Sequence, residues 1–532
     1  MEHASPAPTA TADKGNTTLA LLLAMAMFVL VVDTSFMNVS ISSVVRDLNT
    51  TASGVQSAIA LEALVSAAFI LVGGKIGDLI GRKRAYVIGL SAYGVGALSM
   101  VLSQNLVSII VFWAILGGLG ASLLLPAMQS LIHGNFEGAA QKKAYALVGA
   151  AAAIAAAVGP LLGGFITTYL SWRVAFALED VVILVVFSGI KLVRDVPYTG
   201  PRQIDLVGAG LSALGMGGVV CGILVWQEGG EYVGLLIAIG GVALVTLFRW
   251  LVRRKRDVKP TLLDPVLFAS KVFRYGVTSQ MLQQITLGGL MIALPLYLQM
   301  VLEYNAMEAG LSLAPLSLSM FLVALVAGRR APKRRTSAII RIGFILVTIG
   351  VAALLPIVPR ATSGWWLSLP LVVAGCGLGM LVSQLNNYTL APIDPEHVSE
   401  AAGVNSAGGS FGLSFGLAFA GAIMLATLSM SFSHLASQSD VLPQRAQSNI
   451  ADTLNHDAEI MSNTQLQEQL KLYRPAVQEE ILSINDTARH RALQVALLIP
   501  LLAALLGFFD SLRMLRQPEP KPSSAVEGLL GA

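Results

Sequence analysis

Apolar residues along this chain are grouped in fourteen stretches of about twenty residues, separated by short polar segments. A helix that crosses roughly 30 Å of hydrocarbon needs about 20 predominantly apolar residues. Each stretch is therefore predicted to be a membrane-spanning α-helix. The predicted spans are 18–42, 54–78, 85–103, 106–132, 143–169, 172–193, 204–226, 231–252, 273–302, 309–328, 336–357, 364–391, 401–432 and 490–514.

The composition excludes a soluble globular protein. Hydrophobic residues make up 55% of the 532 positions and charged residues 12%, and the mean hydropathy is +0.71. A surface that faces water needs more charge than this. The fold class expected is an all-α integral membrane protein with fourteen transmembrane helices.

Basic residues in the connecting loops predict the orientation of the helices. Loops rich in Lys and Arg alternate with loops that are poor in them, and basic loops of this kind lie on the cytoplasmic side of a membrane. Orientation therefore explains the net charge of +4 better than nucleic acid binding does. Both termini are predicted to be cytoplasmic in a multi-pass protein of the plasma or inner membrane. The basic loops are 81–84, 141–143, 191–202, 253–256 and 329–335.

The spans predict two six-helix halves with an inserted helix pair between them. Paired halves are typical of transporters whose binding site lies between the repeats. The predicted units are a cytoplasmic N-terminal tail 1–17, a first half 18–193, the inserted pair with its loops 194–272, a second half 273–515 and a disordered cytoplasmic tail 516–532.

One loop, 433–489, is long and is predicted to lie outside the cell. Its segment 452–485 mixes Leu, Ile and Ala with Glu, Gln and Arg, which predicts short amphipathic helices broken at Pro475. Three interpretations remain open: a mobile loop, an external cap, and a docking surface for an external or periplasmic partner.

No phosphate-binding motif of the form Gly-x-x-x-x-Gly-Lys-Ser/Thr occurs, since the pair Gly74-Lys75 is followed by Ile76. ATP is therefore not the expected energy source, and no cofactor or metal is expected. A carrier without a nucleotide draws on an existing gradient. Acidic residues inside the spans become the main candidates, because a carboxylate removed from water takes up a proton more readily.

Four acidic residues lie more than five residues from either end of a predicted span: Asp33, Glu62, Glu179 and Asp180. A charge at the bilayer centre costs at least about 2.5 kcal/mol on insertion scales, so each carboxylate needs a wet cavity or a partner. Proton coupling or cation binding is predicted for them, with structural hydrogen bonding as the alternative. Adjacent residues point about 100° apart on a helix. One of Glu179 and Asp180 is thus expected to be structural or paired, with Arg173 as a candidate partner.

The segment between spans two and three carries an ordered pattern of glycine, aspartate and arginine. Glycines allow helices to approach, an aspartate can cap a neighbouring helix end, and arginines can pair across the cytoplasmic face. The pattern resembles the signature of the major facilitator superfamily at this place. The predicted conformational gating residues here are Gly74, Gly77, Asp78, Gly81, Arg82 and Arg84.

Span five adds Gly159, Pro160, Gly163 and Gly164 after an alanine run. A small-residue helix with a proline packs tightly and bends, which suits a hinge in the gating machinery. The stretch looks like the signature of antiport exporters in the superfamily. Over about residues 18–430 the chain is similar to the fourteen-span drug:proton antiporter family, which includes bacterial multidrug exporters.

Departures from that family's pattern bear on coupling. Where the family has Arg-x-x-Gln-Gly-x-Gly in span four, the run from Ala114 reads Ala-Ile-Leu-Gly-Gly-Leu-Gly and lacks the arginine implicated in proton coupling. Glu62 replaces a common tyrosine, and Glu-Asp-Val from Glu179 replaces the usual Asn-Val-Pro. We expect the extra acids either to carry protons by a variant route or to bind a cationic substrate.

The second half is poor in acid and rich in amides. Buried amides form hydrogen bonds without the cost of a charge. They are predicted either to join helices or to line the substrate site together with adaptable apolar residues. The substrate-lining candidates are Gln280, Gln283, Gln284, Asn386, Asn387, Phe69 and Met291.

The expected function is secondary active transport by alternating access, in which protons exchange for hydrophobic, preferably cationic, small molecules. This is multidrug efflux, with antibiotic resistance as its consequence in a bacterium. The expected partners are the substrate, protons and the lipid bilayer, without nucleic acid. Two alternatives stay open: a dedicated lipid or secondary-metabolite exporter, and a non-transporting receptor or scaffold. No nucleophile–base set or metal cluster indicates an enzyme.

Overall fold

A computed structural model describes residues 16–136, 138–195, 205–227, 230–259, 261–330, 335–393, 397–439, 441, 466–467, 470–472 and 474–518. The described part of the chain is helical and contains no strand. Its long helices are α1 Thr17–Leu48, α2 Ala52–Ile80, α3 Arg82–Leu102, α4 (Leu106–Ser108, Ile109–Gly117 and Gly118–Asn135 in succession), α5 Gly138–Tyr169, α6 Trp172–Ser188, α7 Leu206–Gln227, α8 Val233–Arg256, α9 Lys271–Met300, α10 Ala306–Arg330, α11 Thr336–Ile357, α12 Ser368–Leu390, α13 Val398–Ser437 and α14 (Pro475–Ala496, then Leu498–Leu515).

The prediction of fourteen spans is confirmed. Within the described residues, 13 helical stretches are long and apolar enough to cross a membrane. The remaining helix, α6, has 17 residues, which is the lower limit for a span. Parts of both predicted tails, 1–15 and 519–532, lie outside the described residues.

Short polar residues begin several of the helices. The side-chain oxygen of Asn16 accepts hydrogen bonds from the Thr18 and Leu19 amides and so caps α1. Thr51 caps α2 through the Gly54 amide in the same way. Each cap satisfies amides that have no partner within the helix.

The helices pack as two groups joined along two seams. In the first group α1 packs on α5 and α3 packs on α4, and in the second α9 packs on α13 and α12 packs on α10 and α11. The groups meet where α2 contacts α13 and where α5 contacts α10. Of α7 and α8, which the sequence predicts to be an inserted pair, α7 packs against both α2 and α13 and so lies beside the first seam.

The molecule has two ends, which we call the basic end and the opposite end. The basic end carries the start of α3 after Gly81 and the last turn of α8, and the opposite end carries loops 49–51 and 301–305. Near the opposite end, the Ser42 amide and hydroxyl both donate to the side-chain oxygen of Gln299, at 3.2 and 2.6 Å, and join α1 to α9. The Met307 amide donates to the Thr168 hydroxyl at 2.9 Å and joins α10 to α5. The two groups are therefore closed against each other at this end.

The predicted boundary of the last span is wrong. Helical structure begins at Pro475, where a proline is tolerated because an N–H group at that position would have no acceptor within the helix. Arg489, placed by the sequence in the external loop, is buried, and its guanidinium donates to the Met300 carbonyl oxygen. Phe432 and Ala436 of α13 pack with Ile481 and Ile484 of α14. The middle of the predicted external loop, 442–465, lies outside the described residues.

Candidate functional site

Asp33 lies at the middle of α1 and is 2% exposed. The Tyr93 hydroxyl of α3 donates to one carboxylate oxygen at 2.5 Å. The indole N–H of Trp113 in α4 lies 3.1 and 3.0 Å from the two carboxylate oxygens. Both donors are neutral, so they orient the carboxylate and stabilise it without cancelling its charge.

The structure places Glu179 beside Asp33. Glu179 of α6 is 2% exposed and close enough to interact electrostatically with Asp33 and with Asp180. Within the described part of the chain, neither of its carboxylate oxygens has a hydrogen-bond partner. A buried carboxylate without a donor is costly when charged, so this group needs a proton or a cation.

Asp180 takes a different direction from Glu179. A carbon atom added at Gly94 of α3 would lie 3.9 Å from an Asp180 carboxylate oxygen, so Asp180 faces α3. The expected pairing with Arg173 is wrong. Arg173 instead bonds Asp47 of α1 and donates to the Ser103 carbonyl at 2.6 Å, at the opposite end of the molecule.

Glu62 adds a partly exposed carboxyl to this cluster. It interacts electrostatically with Asp33, and Tyr93 interacts with both of these acids and with Glu179. Two residues away on α2, the Ala60 carbonyl accepts from the Ser414 hydroxyl of α13 at 2.6 Å. Glu62 therefore lies near the seam between the two groups. The structure brings together Asp33, Glu62 and Glu179 from three different helices.

Sequence reasoning missed Tyr93 and Trp113. Tyrosine and tryptophan side chains in membrane proteins usually lie at the membrane–water interface, where their polar atoms reach water. These two lie inside their spans, 3% and 2% exposed, and their polar atoms bond Asp33. A tyrosine or tryptophan in the middle of a predicted span, where its hydroxyl or indole N–H needs a partner, is the signal that would have indicated them.

The gating motif between α2 and α3 is assembled differently from the prediction. Asp78 does not cap a neighbouring helix; it pairs with Arg82, one turn away, at 3.4 Å. The cap comes from Asp195, whose carboxylate accepts from the Lys83 amide at 3.0 Å. Gly81 has a positive φ of 98°, which a residue with a side chain rarely adopts.

The other predicted gating residues of this motif line helix contacts or the surface. Gly74 approaches Pro126 of α4, and Gly77 approaches Ala85 of α3. Arg84 is exposed. The motif therefore brings α2, α3 and α4 together at the basic end.

The small residues of α5 form two close contacts. Gly159 and Gly163 face α1, where added carbon atoms would lie 2.6 Å from Ser35 and 2.8 Å from Phe36. Gly164 faces the second group, where an added carbon would lie 2.5 Å from the Ala306 carbonyl oxygen. Gly310 of α10 packs against the Pro160 carbonyl oxygen. The α5–α10 seam thus depends on backbones that touch.

The predicted substrate-lining amides lie on two helices, α9 and α12, and Asn386 bonds a residue of another helix. Gln280 donates to Gln283 at 3.4 Å along α9, and both Gln280 and Gln284 face Gly409 of α13. The side-chain oxygen of Asn386 accepts from Asn405 of α13 at 2.6 Å. Asn387 donates to the Ser383 carbonyl of its own helix at 3.4 Å, a local bond.

The apolar candidates are only partly buried. Phe69 has intermediate exposure, two turns beyond Glu62 on α2. Met291 of α9 packs against the large apolar core that both groups share. The second half also contains an acid that sequence reasoning missed, Asp510 of α14, which is 6% exposed and accepts from the Ser279 hydroxyl at 2.9 Å.

Comparison with known proteins identifies the family. The model of the Major Facilitator Superfamily matches residues 23–417. The chain belongs to the major facilitator superfamily. It is therefore a multi-pass membrane transporter and not an enzyme, as the sequence predicted.

Relatives in this superfamily include exporters of drugs and antibiotics. The puromycin resistance protein pur8 of Streptomyces alboniger is 30% identical over 409 residues, which cover 74% of this chain and 80% of that protein. The multidrug export protein EmrB of Escherichia coli K12 is 25% identical over 399 residues, 73% of this chain and 76% of that protein. The predicted resemblance to multidrug exporters is thereby confirmed.

Solved structures show the same fold. A bacterial homologue of the human lysosomal transporter Spinster, in an inward-facing and unoccupied conformation, superposes with a TM-score of 0.63 and 13% identity, covering 96% of this chain and 100% of that one. A peptide transporter in complex with sulfate gives a TM-score of 0.58 and 14% identity, covering 83% and 92%.

Proposed function

We propose that this transporter exports hydrophobic cationic small molecules in exchange for protons. The observation that carries the proposal is the cluster of Asp33, Glu62 and Glu179, in which the hydrogen bonds recorded for Asp33 in the described part of the chain come from neutral donors. Three nearby carboxyls cannot all stay charged away from water. Protons or a cation must neutralise them, and alternation between the two is antiport.

The burial of the three acids suggests a division of roles. Asp33 and Glu179 are buried inside the first group of helices, while Glu62 is partly exposed near the seam. We assign proton loading to Asp33 and Glu179, and contact with the cation to Glu62. The amides Gln280, Gln283, Gln284, Asn386 and Asn387 remain candidates for the substrate site, with Phe69 and Met291 as apolar lining.

The energy available is sufficient for such an exchange. One pH unit across the membrane supplies about 1.4 kcal/mol per proton, and 100 mV supplies about 2.3 kcal/mol per charge. One proton therefore sustains a gradient of roughly 500-fold for a neutral substrate. For a monovalent cation a one-for-one exchange moves no net charge, so only the pH difference drives it, and the gradient is roughly tenfold per pH unit. We propose a location in the cell membrane with both termini on the cytoplasmic side, which follows from the basic loops.

Proton release on cation binding tests the proposal. Ethidium is added to the full chain in detergent, and a pH indicator reports the protons released. We expect release from the wild type and little from Asp33→Asn. The control is Asp47→Asn, which removes a carboxylate bonded to Arg173 at the opposite end and should release protons as the wild type does. Equal release from wild type and Asp33→Asn would refute the assignment.

A second candidate function is export of a dedicated secondary metabolite. It is favoured by the names of relatives, which include a probable actinorhodin transporter of Streptomyces coelicolor and a cephamycin export protein of Amycolatopsis lactamdurans. Uptake into liposomes that hold the transporter in inverted orientation and carry a proton gradient separates the two functions. Several unrelated cations moved at similar rates would favour the multidrug function, and one neutral compound moved to the exclusion of cations would favour the alternative.

A further inference from the structure

Trp113 links the acid cluster to two other helices. Its indole N–H reaches both oxygens of the Asp33 carboxylate, at 3.1 and 3.0 Å. Its ring meets Phe176 of α6 edge to face, with the ring centres 6.4 Å apart. Phe176 lies one turn before Glu179 on the same helix. Trp113 therefore contacts Asp33 directly. Through Phe176 it also contacts the helical turn that carries Glu179.

The backbone around Trp113 is unusual. Residues Ile109–Gly117 of α4 form a π-helix of 9 residues. Such segments are rare, and they occur frequently at functional sites because the extra residue per turn redirects side chains. The widened segment brings Trp113 to face Asp33.

This π-helical segment adjoins the helices that carry the cluster. A carbon atom added at Gly118, directly after the segment, would lie 2.9 Å from the Glu62 carbonyl oxygen of α2. A carbon added at Gly96 of α3, one turn from Tyr93, would lie 3.1 Å from the Phe112 carbonyl oxygen. The contacts leave no room for the segment to shift without moving α2 and α3.

Two other indole–carboxylate pairs provide a comparison. Trp250 donates to Asp205 at 3.1 and 3.2 Å, and Trp172 donates to Asp47 at 3.0 Å. In both of these pairs an arginine also contacts the carboxylate, so that its negative charge is compensated. The recorded partners of Asp33 are neutral, which leaves its charge to be set by protons or substrate.

We infer that Trp113 is the positioning residue of the coupling site. Its N–H fixes the ionised carboxylate of Asp33, and its ring conveys a change at Asp33 to Phe176 and to the α6 turn that carries Glu179. An N–H donor bonds a charged oxygen about twice as strongly as a neutral one, so loading of Asp33 loosens the indole. The inference rests on the proposed proton–cation exchange and identifies Trp113 as the side chain whose hydrogen bond changes during that exchange.

The test measures the environment of the Trp113 indole directly. The full chain is labelled with 5-fluorotryptophan in detergent, and its ¹⁹F resonances are recorded before and after addition of tetraphenylphosphonium. Trp113→Phe and Trp250→Phe assign the two resonances. We expect the Trp113 resonance to move on cation addition in the wild type and to stay in place in Asp33→Asn. The Trp250 resonance, whose carboxylate is paired with Arg254, should not move in either protein.

Proton release measured on the same samples separates this inference from the function on which it rests. Release of protons with an unmoved Trp113 resonance would overturn the positioning role and leave the exchange intact. Absence of both signals would overturn both. Absence of release with a moved resonance would overturn the exchange, and with it the coupling role of Trp113.

Variants of the side chain supply a functional readout. Trp113→Phe keeps an aromatic ring against Phe176 and removes the N–H, and we expect at least a fivefold loss of protons released per cation bound. Trp113→His retains an N–H donor and should restore part of the release. If Trp113→Phe binds the cation and releases protons as the wild type does, the inference is wrong. Trp250→Phe is the matched control, with unchanged release expected.

Discussion

Ser42 and Gln299 hold the two helix groups together at the end opposite the basic loops, through two hydrogen bonds to one amide oxygen. Each such bond contributes about 1 kcal/mol net. Any state open at this end must break both of them. This contact is therefore expected to set the balance between the two open states of the transporter.

Removal of the Gln299 side chain is predicted to favour opening at this end. With about 2 kcal/mol lost from the closed state, the open fraction should rise by an order of magnitude or more. The measurement is the labelling rate of Val45→Cys, a buried position near the contact, by a water-soluble maleimide. The background for labelling replaces Cys221 and Cys376 by alanine.

The control for Gln299→Ala is Thr167→Ala. It removes a bond of 2.7 Å between Thr167 and Ser40, which joins α1 and α5 within the first group. We expect this variant to leave the labelling rate unchanged. If Gln299→Ala labels no faster than its parent, the contact does not hold the end closed.

Gly310→Ala is predicted to abolish transport while the protein still inserts into the membrane. A carbon atom at Gly310 would lie 2.3 Å from the Pro160 carbonyl oxygen, so the α5–α10 seam must separate. The measurement is substrate uptake into liposomes at equal protein content. Gly149→Ala on α5 is the matched control, because nothing lies within 4 Å of the added carbon. It should transport normally, and the same loss in both variants would contradict the steric argument.

Asp510 is predicted to be structural. It accepts a hydrogen bond from Ser279 and joins α14 to α9. Asp510→Ala leaves the buried Ser279 hydroxyl without this acceptor, at a cost of about 1–3 kcal/mol. We expect its thermal unfolding in detergent to begin several degrees lower, whereas Asp510→Asn, which keeps an acceptor, should unfold within about a degree of the wild type. Loss of proton release in Asp510→Asn would instead place this acid in the coupling path.

At the basic end, Asp264 connects α8 to α13. Its carboxylate bonds Lys255 of α8 and lies 3.9 Å from His397, and its amide donates to Glu400 of α13. Burial alone would raise the pKa of the Asp264 carboxyl, but the hydrogen bonds from Lys255 and the Val266 amide, with the charges of Lys255 and His397, lower it below its usual value.

The lowered pKa of Asp264 predicts where its contribution to stability appears. A carboxyl with a depressed pKa in the folded state contributes stability above its unfolded pKa and loses it as the pH falls through the folded pKa. The contribution should therefore persist from pH 7 to pH 5 and disappear only below about pH 4.

Unfolding curves of Asp264→Asn at pH 7 and pH 5 test this. We expect a destabilisation of about 1 kcal/mol or less, since the Lys255 side chain is 47% exposed, and a difference from wild type at pH 5 that is no smaller than at pH 7. The control is Asp257→Asn, in an exposed pair with Lys259 at 3.9 Å, for which no measurable change is expected. A difference that disappears between pH 7 and pH 5 would contradict the lowered pKa.

The sequence predicted the fourteen spans because the bilayer imposes one length and one polarity on every helix that crosses it. It also identified Asp33, Glu62 and Glu179, because a carboxyl in hydrocarbon is costly enough to need a reason. The last span was predicted to begin only at residue 490, because polar residues such as Glu479 and Asp486 separate the apolar span from the segment after Pro475, which packs on α13 and forms the first part of α14.

Only the tertiary structure decided which side chains meet. Arg173 could pair with any acid near its end of the molecule, and the packing of α1 against α6 gave it Asp47. Tyr93 and Trp113 reach Asp33 from helices 60 and 80 residues away along the chain. Hydropathy reports the solvent around each helix, whereas the rotation of one helix against another is set by close packing of many side chains at once. For that reason the chain's composition determined a transporter fold, and its packing determined which side chains form the acid cluster.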